Sequence, residues 1–105
     1  MGYSQRDMRE AVALLRDRCP TLLPVRVYRR QINCGAVGLC KLVVNEKGQP
    51  VRFIITVDSR LPWNTAWHIL IHEWAHAVSW QDGETVDDHG PEWGLAVARC
   101  YTECE

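Results

Sequence analysis

The sequence predicts an α+β fold in which one helix precedes a three-stranded, mainly antiparallel sheet and two further helices follow it. Two patterns lead there. Apolar residues recur at helical spacing towards both ends of the chain, whereas the middle alternates and is rich in β-branched residues. With 105 residues, 47% of them apolar, the chain has material for one core, so residues 1–105 are expected to form a single domain.

Ser4 stands before Gln5-Arg6-Asp7, and Met8, Ala11, Val12, Leu14 and Leu15 then share a face. This is a capped helix, stopped by Pro20 and Pro24. Residues 25–31 alternate as a half-buried strand does, and 33–38 supply turn residues. Residues 39–45 form a second strand. Glu46-Lys47-Gly48-Gln49 then reverses the chain into 51–57, so these two strands read as a hairpin. From 64 to 80 apolar residues fall on nearly every side, the mark of a helix buried between other elements. An acidic loop, 81–88, leads to Pro91, which opens a last helix reaching about Tyr101.

No apolar run approaches the roughly 20 residues of a membrane span, and residues 1–10 are polar, so a cytoplasmic protein is expected. Five cysteines make an odd count without a Cys-x-x-Cys pair. That argues against a disulfide framework and a zinc ribbon, leaving buried free thiols as the simplest expectation. The sharper alternative is a second metal site joining Cys100 and Cys104 to Cys34 and Cys40.

Chemistry concentrates in His72-Glu73-Trp74-Ala75-His76. Residues four apart on a helix lie on one face, so His72 and His76 can aim both imidazoles at one ion. Glu73 sits about 100° further round, within reach of water at that ion rather than of the ion itself. Catalytic zinc uses three protein ligands and keeps a fourth position for water. His68 is one turn before His72, but three histidines spread over about 12 Å of straight helix cannot converge. His89, arriving on a separate element, is therefore the expected third ligand, and His68 a packed or hydrogen-bonded residue beside the cleft. Glu73 is the expected general base. Asp82, Glu84, Asp87, Asp88 and Glu92 are candidates to orient the imidazoles, and Tyr101 or Arg99 to steady an oxyanion.

Two linked segments, His72-Glu73-Trp74-Ala75-His76 and His89-Gly90-Pro91-Glu92-Trp93, resemble those of the SprT-like (Spartan-type) zinc metalloproteases. The helix, three-strand, helix, helix order resembles that family's minimal protease core, a zincin-like arrangement. The resemblance implies zinc held by His72, His76 and His89, with Glu73 as base. It also implies proteolysis, in relatives directed at proteins bound or crosslinked to DNA. The alternative is a non-catalytic, zinc-stabilised module that binds DNA or protein.

A protein substrate is thus the expected partner, and no membrane. A net charge of −1 gives no general attraction to phosphate. Weak contact with single-stranded DNA would rest on a local set, Arg26, Arg29, Arg30, Lys41, Lys47, Arg52 and Arg60, with the rings of Tyr28, Trp63 and Trp80.

Overall fold

Helix α1 (Gln5–Arg18) turns Met8, Ala11, Val12 and Leu15 inwards, and all four are buried. The computed structural model describes residues 5–81, 86 and 89–104, so the capping residue Ser4 lies outside the described residues. Strands β1 (Val25–Arg30), β2 (Gly38–Val44) and β3 (Pro50–Asp58) follow, then helices α2 (Trp63–Ser79) and α3 (Pro91–Cys104). No helix among the described residues is long and apolar enough to cross a membrane.

The sheet is mixed rather than mainly antiparallel. β2 and β3 form the expected hairpin, but β1 lies along the other side of β3 and runs parallel to it, giving the order β1-β3-β2. Burial explains the order: Phe53, Ile55 and Val57 of β3 are fully enclosed, whereas β2 exposes Leu39, Lys41 and Val44. The strand with most apolar surface to hide takes the middle. At the hairpin tip Asn45 accepts the N–H groups of Lys47 and Gln49 through its side chain, and Gly48 takes a φ of +75°.

Alternation then gives the sheet two unlike faces. Val25, Phe53, Ile55 and Val57 point towards the helices and join Leu15, Leu70, Ile71, Trp74 and Cys100 in one core. Trp74 is fully buried and donates its indole N–H to the Cys19 carbonyl at 2.9 Å, tying α2 to the end of α1. As its composition predicts, α2 is enclosed on several sides, burying Ala66, Leu70, Ile71, Trp74, Ala75 and Ala77.

A polar knot fixes where α2 begins. Asp58, 2% exposed at the end of β3, accepts the Ile32 N–H (3.3 Å), the Arg60 N–H (2.9 Å) and the Arg60 guanidinium on both carboxylate oxygens. Arg29 donates to the carbonyls of Asp58, Ser59 and Leu61. The link between β3 and α2 is thereby held at both of its sides.

Candidate metal centre

Helical spacing brings His72 and His76 together, with ring centroids 5.1 Å apart. His89, just before α3, closes the group: its ring lies 5.2 Å from His72 and 4.7 Å from His76. One nitrogen from each histidine falls within 4.8 Å of the other two, the one such cluster of potential metal ligands among the described residues. His72 Nε2 and His89 Nε2 are 3.3 Å apart. Bonds of about 2.0–2.1 Å in a tetrahedron place neighbouring ligand atoms about 3.3–3.4 Å apart, so this edge already has the length a zinc-sized ion requires. The same separation suits an N–H···N bond between the two rings, but such a bond engages two imidazoles and does not account for the third. Burial, and then the charge of His89, lowers the pKa of His72, favouring the neutral ring a metal needs.

Glu73 comes off α2 between the two ligands and lines the same cleft, whose volume is about 330 Å³. It is 8% exposed, and burial pushes its carboxyl up to about 7. Across the cleft stands β2, with Gly38, Leu39 and Cys40 forming the opposite wall. A side chain at Gly38 would overlap Ile69 Cγ2 and stand 2.9 Å from Glu73 Oε2, so only glycine lets helix and strand approach this closely. Burial, and then the neighbouring Glu73, pushes the Cys40 thiol up to about 12.

The free edge of β2 borders this cleft. Asp58 N–H donates to the Val37 carbonyl at 3.0 Å. Bonded and unbonded pairs alternate along an antiparallel ladder, so Leu39 and Lys41 face their β3 partners while Gly38 and Cys40 turn their main-chain groups outwards. No strand pairs with that edge among the described residues.

Other expected residues fall elsewhere. His68 is hydrogen-bonded, its Nδ1 2.6 Å from the Tyr101 hydroxyl, and stays out of the cluster. Neither Tyr101 nor Arg99 lines the cleft. Arg99 and Glu92 border a separate depression with Trp80 and Leu95, so Glu92 is not placed to orient the imidazoles. Asp82, Glu84, Asp87 and Asp88 lie outside the described residues. All five cysteines are free thiols, but Cys34 is exposed and Cys40 sits in the cleft, so neither joins Cys100 and Cys104 in a metal site. The thiol that meets those two is Cys19.

The basic set divides in the same way. Trp80 is buried edge-on against Phe53 and offers no ring to a base, while Arg29 and Arg60 are spent on the knot around Asp58. Arg26, Arg30, Lys41 and Arg52 do share the sheet face turned away from the helices, with Tyr28 among them under the Arg30 guanidinium.

The sequence offers Gly38 as a turn residue, Cys40 as a ligand of a second metal site and Trp93 only as part of a motif, whereas the structure brings all three to this site. Trp93 follows His89 by four residues on α3 and places its indole against all three imidazoles. Comparison with protein-family models, with curated proteins and with solved structures finds no match for this chain.

Proposed function

We propose that this protein is a zinc-dependent endopeptidase that cuts extended segments of other proteins. One observation carries the reading: three imidazoles converge beside a buried carboxylate, which is not one of them, in a cleft bordered by an open strand edge. The pairing of His72-Glu73-Trp74-Ala75-His76 with His89-Gly90-Pro91-Glu92-Trp93, and its likeness to the SprT-like proteases, supports the same conclusion.

His72, His76 and His89 would hold the ion. When bound, zinc polarises a peptide carbonyl and brings the pKa of water down towards about 7. Glu73, which lines the cleft beside the three imidazoles, takes the proton from the attacking water and returns it to the leaving amine. The outward main-chain groups of Gly38 and Cys40 pair with an incoming segment and hold it straight across the cleft. Side-chain-free Gly38 keeps that approach open beside Glu73. Proteins associated with or crosslinked to single-stranded DNA fit as substrates through the face bearing Arg26, Arg30, Lys41 and Arg52, which has no acidic side chain among its exposed positions.

The test is an unfolded protein substrate incubated with the zinc-loaded chain and with its Glu73→Gln variant. Wild type cleaves, and the variant keeps its zinc but loses cleavage by at least about a hundredfold. Equal cleavage by the variant removes Glu73 from the chemistry. Zinc binding with no cleavage by either leaves the non-catalytic, zinc-stabilised module. Affinity for single-stranded DNA measured against salt tests the basic face; a flat dependence excludes it.

A further inference from the structure

We propose that Trp93 is a positioning residue for the metal centre, holding the three imidazoles in a binding geometry before any ion arrives. This rests on the metal reading above and concerns a residue outside the ligand set. The indole of Trp93 stands edge-on to His89 (centroids 4.6 Å, 89°) and to His72 (4.9 Å, 66°), and lies nearly parallel to His76 (5.5 Å, 26°). One ring therefore touches every ligand. Its Nε1–H also donates to the His72 main-chain carbonyl at 3.2 Å, which fastens α3 to α2 at the residue that begins the motif.

The three ligands differ in how firmly their own surroundings hold them. His76 is buried, His72 half-buried and His89 exposed, on the segment that enters α3. An exposed imidazole samples several rotamers unless something restrains it, and each rotamer lost on binding lowers affinity. Trp93 supplies that restraint four residues further along the same segment, with its own ring anchored by the bond to α2. The shape of the ring does the positioning, and the N–H fixes the ring. Phenylalanine keeps the first and lacks the second; leucine lacks both.

The experiment uses the full chain, with Zn(II) measured by chelator competition and Co(II) by visible absorption. Trp93→Leu is expected to bind Zn(II) about 10–100-fold more weakly and to lose the tetrahedral Co(II) band, while Trp93→Phe falls between it and wild type. Indole fluorescence provides a readout that does not depend on the leucine variant folding. Co(II) quenches wild type, and most of that quenching disappears in Trp93→Phe although four tryptophans remain. The proposal is overturned if Trp93→Leu binds both ions as wild type does, or if Trp93→Phe is quenched as strongly as wild type. A wild-type protein that binds neither ion overturns the metal centre itself, which is a different result.

Discussion

Gly38 and Glu73 divide a space that holds one side chain. A carbon at the Cβ position of Gly38 would stand 2.9 Å from Glu73 Oε2 and 3.2 Å from its Cγ, besides overlapping Ile69 Cγ2. Gly38→Ala therefore forces either β2 or the α2 side chains to move. Overpacking of this kind costs about 1–3 kcal/mol. Because the atoms displaced include those of the proposed base, cleavage should fall by more than the loss of folded protein explains. Urea unfolding together with turnover per zinc bound separates the two, and an alanine variant as stable and active as wild type would contradict the packing described.

Burial at Glu73 also predicts how the metal-free protein responds to pH. Its carboxyl is raised from 4.5 to about 7, so the folded chain holds that proton more tightly than the unfolded chain. The contribution to stability is undiminished below about pH 4.5, declines as pH rises to about 7, and is level above that. The total decline is at most about 3 kcal/mol. Glu73→Gln is neutral throughout and should not show it, making the variant the more stable of the two at pH 8 in the presence of a chelator. Urea midpoints at pH 5 and pH 8 check the crossover.

The acid side belongs to Asp58. Hydrogen bonds from the Arg60 side chain, then from the Arg60 and Ile32 main chain, hold its carboxyl well below the usual carboxylate range. Here the sign is reversed: the stabilisation is fully present above about pH 3.8, the unfolded value, and is lost as pH falls through the lower folded one. Asp58→Asn should be less stable than wild type at pH 7, and the gap should narrow below pH 4. A gap that stays constant down to pH 2 would mean that the ionised carboxylate contributes nothing.

The two ends of the site were unequally legible in the sequence. Helical period alone places His72, Glu73 and His76, and the length of helix between His68 and His76 excludes His68, which is why the third ligand could be assigned to His89. A strand's alternation shows which face is buried but not which neighbour it pairs with, so the parallel seat of β1 against β3 left no sign. Gly38 closes a stretch of turn residues in the sequence, whereas it is the first residue of β2 and is required for closeness rather than for turning. Trp80 reads as the last residue of the helix with a ring available to a nucleic-acid base, yet the chain turns extended there and folds the indole onto Phe53 at 5.5 Å. Each miss is a contact between segments distant in the chain, and local pattern carries no information about those.

His89 offers the last test, because it joins a ligand role to an exposed position. The His89 ring rests on His72, His76 and Trp93 but keeps one side open to solvent. In a chelator, His89→Ala should therefore melt somewhat below wild type, whereas His76→Ala, which opens a buried site 4% exposed, should melt lower still. Zinc changes the comparison. An ion that binds only the folded chain stabilises it by about 2.7 kcal/mol at a hundred times its dissociation constant, and two imidazoles hold it far less well than three. Wild type should gain in melting temperature as zinc is added, while His89→Ala at the same concentrations should gain little or nothing. Equal gains in the two proteins would place the ion away from His89 and undo the three-histidine centre, whatever the fold of the rest.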